Sequence, residues 1–295
     1  MDREVTLMEM LEAREVRAGR QRELLERYAR PVVSFTLNIA GPVKNGPVIR
    51  RAFREGLLRL EDALAARGLR PLHQEEVDRP TGCEALWAVD GPARTVKELC
   101  AGIEDRDPLG RLFDLDVLDP EGGKWDREAL GLPPRPCLVC GKAGKGCASR
   151  RLHPVEEIQE KTQTILRDFF AEKDRKFLAA QGARALLYEV CTTPKPGLVD
   201  RHNNGSHKDM DVFTFLDSTA ALLPYLERAA AIGQETARRM PEETFERLRE
   251  AGLGAERTML RATGGVNTHK GAIFSLGCVL GACGRLWTPE GPCRE

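Results

Sequence analysis

Asp114 and Asp116 stand one residue apart in Gly110-Arg111-Leu112-Phe113-Asp114-Leu115-Asp116-Val117. On a strand, that spacing puts both carboxylates on one face. Two hard oxygen donors so close suit a Mg²⁺ that bridges substrate phosphates. Arg111 adds a planar donor fork for a phosphate or its transition-state charge. The same peptide is also compatible with an edge strand whose acids face water, because a short D-x-D says little alone. Downstream, Cys137 and Cys140 form a C-x2-C knuckle, followed by Cys147 and His153. Three thiolates and an imidazole complete a tetrahedral Zn²⁺ set with no open position, so its role would be structural. Glycines and lysines between 141 and 146 suit a tight loop around a metal. Free thiols, with Cys137 and Cys140 open to redox chemistry, are the other reading.

Two further runs concentrate polar groups. Thr192 to Asp211 contains Lys195, Asp200, His202, Asn203, His207, Lys208, Asp209 and Asp211, interrupted by Pro194, Pro196, Gly197 and Gly205. The prolines and glycines forbid a continuous helix, so an ordered loop is expected. Packing has no use for so many polar groups there; a metal–nucleotide complex does, and a capped, solvated connection is the plainer alternative. The second run, Thr263-Gly264-Gly265-Val266-Asn267-Thr268-His269-Lys270, precedes an apolar helix whose first N–H groups could meet an anion. It lacks Walker A spacing, and a glycine-rich helix start explains it equally.

The elements that must position these groups are legible in outline. Residues 5–29 read as a charged helix stopped by Pro31, and 32–39 as a strand closed by Gly41-Pro42. Ile49, Phe53, Leu57, Leu60 and Leu64 recur at helical spacing from Pro47 to Arg67. Ala85 to Val89 and Arg111 to Val117 read as strands. Beyond residue 154 the periodicity is helical: 154–190, Phe213 to Ala231, Pro241 to Arg249 and Gly271 to Leu286. The expected fold is an α+β N-terminal domain, residues 1–175, followed by an all-α, truncated C-terminal domain, residues 176–295.

Composition bounds the partners. Of 295 residues, 41% are hydrophobic and 31% charged, which excludes wholesale disorder. Forty-five basic and forty-five acidic residues leave no net charge, so neither nucleic acid nor a membrane surface is an expected partner. No uncharged apolar run approaches the ~20 residues of a bilayer span. Met1-Asp2-Arg3-Glu4 does not open a secretory signal. Nine cysteines without a signal read as cytoplasmic thiols or metal ligands.

Ser34 to Lys44, Gly110 to Val117, and Arg135 to Cys140 with Cys147 and His153 resemble the apo-citrate lyase phosphoribosyl-dephospho-CoA transferases, the CitX family, over roughly residues 7–170. This resemblance implies attack by a serine hydroxyl of the citrate lyase acyl carrier (gamma) subunit on the α-phosphorus of triphosphoribosyl-dephospho-CoA, with pyrophosphate leaving. Asp114 and Asp116 are then the Mg²⁺ ligands and Arg111 the phosphate contact. Asn38 and Lys44, flanking the Gly41-Pro42 turn, are candidates for substrate contact or for turn structure alone. From about residue 180 the two polar runs resemble the triphosphoribosyl-dephospho-CoA synthases, the CitG family, which act on ATP and 3′-dephospho-CoA and release adenine. The resemblance makes Asp200, Asp209 and Asp211 candidates for base or metal ligand. It makes Lys195, Asn203, His207, Asn267, Thr268, His269 and Lys270 candidates for the triphosphate and substrate. The synthase family continues well beyond residue 295, so apolar helix faces without partners are expected. Two other functions stay open: a non-catalytic zinc-knuckle module that binds a carrier protein, and a synthase-only or malonate-decarboxylase-type assembly protein.

Overall fold

The computed structural model describes residues 3–142, 147, 150 and 152–291. It divides into two compact units, Met1–Phe169 and Phe170–Glu295.

In the first unit, helix α1 (Leu7–Tyr28) opens on a capping box in which Thr6 and Glu9 satisfy each other's backbone N–H groups. It closes at Ala29, whose φ of 47° is left-handed. Strand β1 (Val32–Leu37) follows and stops two residues short of the expected 39, because the Asn38 N–H turns to Leu112 O at 2.7 Å. Pro47 starts α2 (Pro47–Ala66) at a position where a missing N–H costs nothing. Strands β2 (Arg70–Arg79) and β3 (Gly82–Asp90) form a hairpin, followed by α3 (Ala93–Asp105), β4 (Phe113–Leu118) and the short β5 (Lys124–Trp125). Neither β2 nor α3 is among the sequence-based expectations. The sheet order is β2-β3-β1-β4-β5, with every neighbouring pair antiparallel.

One face of this sheet is the main core. Phe35 of β1 stacks on Phe53 of α2 at 4.8 Å and meets Phe113 of β4 edge-on at 5.4 Å. Trp87, Leu60, Leu64, Val96 and Leu115 are also buried. Removing any of these large side chains should cost about 2–5 kcal/mol. The expected strand from Arg111 needs correction. Leu109–Leu112 is a 3₁₀ turn, so Arg111 precedes the strand instead of lying on it. Gly110 is required there: a Cβ would sit 2.5 Å from Ile103 O and 2.7 Å from Glu104 O.

A 37-residue helix, α4 (Val155–Cys191), runs through the position where the units divide. The second unit continues with α5 (Val212–Glu235), α6 (Pro241–Ala262) and α7 (Lys270–Arg285). Helix α6 runs well past the expected Arg249, because Ala255 and Met259 extend its buried stripe. Leu222, Leu226, Ala229, Met259 and Leu280 form the core. Helices α5 and α7 approach so closely that a Cβ on Gly233 would lie 2.1 Å from Gly281 O. All regular structure described from Val155 onward is helical apart from an isolated bridge, Thr288 to Gly291. Among the described residues no helix is long and apolar enough to cross a membrane. Residues 143–146 of the knuckle loop and the last four of the chain lie outside the described residues.

Candidate functional site

The period-two alternation of β4 separates two tasks. Phe113, Leu115 and Val117 turn into the core, while Asp114 and Asp116 turn to the opposite face. Over β1, β3 and β2, α1 covers that opposite face: Leu24 and Leu25 pack on Val32, Leu86 and Ala88, and Arg17 pairs with Glu84. On β4, Asp114 and Asp116 line a cleft of about 770 Å³ instead. Asp114 meets solvent on the concave floor. Its partial desolvation, and then the neighbouring Asp116, push its carboxyl above the usual range. Lys124 Nζ lies 2.7 Å from Asp116 Oδ2 and neutralises part of this charge.

Buried charges from α3 complete the acidic strand. Beside β5 the edge of β4 is open at Leu115. There the Lys97 ammonium donates to Leu115 O at 2.8 Å, and the Leu115 N–H donates to Glu104 Oε1 at 2.9 Å. Arg135 donates to Phe113 O, Gly110 O and Arg111 O at 2.8, 2.9 and 3.1 Å. The guanidinium of Arg111 donates to Pro136 O, yet its Nη1 is buried without a hydrogen-bond partner. An unsatisfied cationic donor lining a cleft is costly unless an anion meets it. Burial, and then Arg135, lower the Arg111 pKa; an arginine nevertheless stays charged. Asn38 lines the same cleft. Lys44 does not; it turns back to donate to Ile39 O at 2.5 Å. Sequence reading missed Lys97, Glu104 and Lys124 and gave Arg135 no role.

Cys137, Cys140, Cys147 and His153 do converge, with ligand atoms all within 4.8 Å of one another. Cys140 Sγ and Cys147 Sγ are 3.5 Å apart. The knuckle turn is closed by the Cys137 N–H on Lys142 O at 2.6 Å and the Gly141 N–H on Cys137 O at 3.0 Å. The Lys142 backbone N–H, and then His153 and Cys147, draw the Cys140 thiol down to about 6. His153 hydrogen-bonds Glu157 Oε2 through Nδ1 at 3.1 Å, and its Nε2 is buried with no hydrogen-bond partner. An imidazole held by a carboxylate, with its other nitrogen free among thiols, is the arrangement of a metal ligand.

The polar groups of the second unit are mostly committed locally. Asp200 accepts the N–H groups of His202, Lys195 and Asn203 at 2.7, 3.1 and 3.1 Å. Those bonds hold its pKa low, first through His202 and then Lys195. Asp211 is the N-cap of α5, in a capping box with Thr214 that likewise lowers its pKa. Asn203 Oδ1 accepts from Gly205 N–H, and Asn267 Oδ1 from Lys270 N–H. Lys195 pairs with Glu189 and Lys270 with Glu256, each at 2.7 Å, while exposed Asp209 lies 3.9 Å from His207. Thr268 donates to Ser218 Oγ at 2.7 Å, and Ser218 Oγ is 2.7 Å from His269 Nδ1. His269 is buried, which lowers its pKa, and its Nε2 has no hydrogen-bond partner. Ser218 thus ties the second polar run to the helix that follows the first.

Comparison with known proteins places these two units. The family model for apo-citrate lyase phosphoribosyl-dephospho-CoA transferase matches residues 5–169, and that for ATP:dephospho-CoA triphosphoribosyl transferase matches residues 175–293. Protein CitXG of Haemophilus influenzae is 39% identical over 285 residues, which cover 96% of this chain and 60% of that protein. Protein CitXG of Leuconostoc mesenteroides subsp. cremoris is 38% identical over 287 residues, 94% of this chain and 61% of the relative. The chain therefore spans about three fifths of the length of these two relatives. An apo-citrate lyase phosphoribosyl-dephospho-CoA transferase of Escherichia coli is 35% identical over 164 residues, 56% of this chain and 90% of the relative. With 165 residues under one model and 119 under the other, the chain belongs to the apo-citrate lyase phosphoribosyl-dephospho-CoA transferase family and carries, joined to it, a region of the ATP:dephospho-CoA triphosphoribosyl transferase family.

Proposed function

We propose that residues 1–175 transfer 2′-(5″-phosphoribosyl)-3′-dephospho-CoA from its triphosphate precursor to a serine of the apo-citrate lyase acyl carrier (gamma) subunit, in the cytoplasm. Residues 176–295 belong to the synthase that makes this precursor from ATP and 3′-dephospho-CoA and releases adenine. The observation that carries the transfer reading is the cleft itself, where paired Asp114 and Asp116 lie in the same concavity as Arg111 with its unpartnered Nη1.

The chemistry asked of the chain is charge management. The serine Oγ–P bond forms as the hydroxyl gives its proton to solvent, the bond from the α-phosphorus to the bridging oxygen breaks, and pyrophosphate leaves with the electron pair. Arg111 Nη1 donates to a phosphate oxygen and so acquires the partner it lacks. Arg135 fixes the turn that carries Arg111, and Lys124 limits repulsion at Asp116. The donor set fits Mg²⁺, because two carboxylates on one strand face are hard ligands, and a cation offsets both the desolvation and the Asp116 charge that raise Asp114. Bound to Asp114 and Asp116, Mg²⁺ would supply neutralisation of the developing phosphate charge. Cys137, Cys140, Cys147 and His153 are read as a structural Zn²⁺ site. For the second unit, Lys195, His207, Asp209 and Lys270 are the candidates for ATP and 3′-dephospho-CoA.

Mass spectrometry of apo acyl carrier protein, incubated with the chain and preformed triphosphoribosyl-dephospho-CoA, tests the transfer. The expected result is a mass gain of one phosphoribosyl-dephospho-CoA on a serine, dependent on Mg²⁺. An unmodified carrier with this precursor refutes the reading. Supplying ATP and dephospho-CoA in its place asks separately whether the second unit makes the precursor.

A further inference from the structure

We propose that a Zn²⁺ held by Cys137, Cys140, Cys147 and His153 is the strut that keeps Arg135 and Arg111 in place beside the Asp114–Asp116 strand. The metal assignment stands on the cluster alone, while its consequence for transfer rests on the function proposed above.

The cluster is within about an ångström of the dimensions the ion needs. Ligands about 2.0–2.3 Å from a tetrahedral zinc lie roughly 3.3–3.8 Å from one another. The four ligand atoms here fall within 4.8 Å, two of the sulfurs at 3.5 Å. His153 presents a buried Nε2 with nothing to bond, while Glu157 holds its Nδ1. Cys147 is buried, and three thiol groups gathered with one imidazole have little reason to converge except a shared cation.

What the ion would restrain follows from connectivity. Arg135 is two residues before the first ligand, Cys137. Its three donated bonds end on the carbonyls of Gly110, Arg111 and Phe113, and Arg111 returns a bond to Pro136 O. Residues 135–136 are therefore stitched in both directions to the turn that opens β4. At the far end of the cluster, His153 lies just before α4, whose Val155 and Ile158 line the cleft. One ion would hold the knuckle against the start of α4 and, through Arg135, fix the wall that faces the carboxylates. Helix and strand bonds supply little of this restraint, because residues 132–135 belong to no helix or strand and Pro136 takes part only in a β-bridge. Hydrogen bonds from a charged donor restrain their acceptors only while the donor itself is held in place.

The test uses the full chain, purified with zinc supplied. Elemental analysis should find one zinc per chain, lost in Cys140→Ser and lost to a zinc-selective chelator in excess Mg²⁺. Hydrogen–deuterium exchange then reads the strut. Zinc removal should speed exchange at residues 109–118 by about tenfold, equivalent to about 1.4 kcal/mol, and leave β2 and β3 unchanged. In Arg135→Ala, zinc should still bind, exchange at 109–118 should already be fast, and removing zinc should change it no further. Absence of bound zinc overturns the proposal. So does acceleration confined to 136–153, acceleration spread evenly through β2 and β3, or a zinc effect that persists in Arg135→Ala. Asp114→Asn separates the readings: it should keep zinc and normal exchange while losing transfer. A wild-type chain that passes the exchange test but loads no carrier refutes the function and leaves the strut standing.

Discussion

Asp114 and Asp116 in the first unit, and Asp200 and Asp211 in the second, are the same residue type, yet the fold gives them opposite surroundings. Asp200 receives three backbone N–H groups and Asp211 caps a helix, so both are held ionised below the ordinary carboxylate range. Asp114 has no hydrogen bond of that kind; desolvation, and then Asp116 across one residue, raise its pKa. An aspartate satisfied by backbone donors stabilises the fold and has little left to offer a ligand. One that is crowded by another acid costs stability as an anion and gains most from a cation. The surroundings of the carboxylate, and not the density of polar residues around it, separate a chemical site from a structural one.

Substitutions can break that comparison. The largest effect is expected at Asp114→Asn and Asp116→Asn, which should lower transfer by about 10²–10³-fold, the usual cost of losing one group that stabilises developing charge. The melting temperature should stay level or rise for Asp114→Asn. With a raised pKa, ionised Asp114 costs stability that is absent below the ordinary carboxylate pKa and appears as pH rises. Loss of fold in this variant would show Asp114 to be structural. Asp200→Ala should behave in the opposite way, lowering the midpoint of unfolding of the second unit while transfer by the first survives; an undisturbed midpoint would erase the contrast.

The pH profile sharpens the same point. Because the Asp114 pKa is raised, protons compete with Mg²⁺ at a higher pH than at an ordinary aspartate. Transfer at limiting Mg²⁺ should fall on the acid side, and excess Mg²⁺ should shift that limb to lower pH. A limb insensitive to Mg²⁺ would detach it from the carboxylate pair. Ser218→Ala removes the buried partner of His269 Nδ1 and should cost about 1–3 kcal/mol in denaturant titration. The smallest effect is expected at exposed Asp209, where alanine should change stability by less than about 0.5 kcal/mol.

Much of the fold is legible where one side of an element is apolar. Helix α2 shows through Phe53, Leu57, Leu60 and Leu64, all of them buried. Strand β2 is not legible, because Arg70 to Arg79 is an edge strand with charged residues on both faces and no apolar stripe to mark it. The capping role of Asp211 has a local signal that was available: an N-cap Asp three residues before Thr214, at the start of an apolar helix. No comparable signal marks Arg135 or Glu104. Their partners are backbone groups 22–25 and 11 residues away, and any carbonyl or N–H looks alike in sequence.

Residue types and spacing alone determined that Asp114 and Asp116 share a face, that four soft ligands are available between 137 and 153, and that the chain is α+β before it is helical. These follow from the period of two along a strand, from ligand chemistry and from hydrophobic period, all local properties. Only tertiary structure decided that α1 covers β1, β2 and β3 but leaves the β4 acids in a cleft. It alone set Arg111 in that cleft with a donor unpaired, brought the four ligands within reach of one another, and tied Asp200 to its own loop. Each of these depends on which buried donor meets which acceptor once distant segments pack, and spacing along a chain carries no record of that.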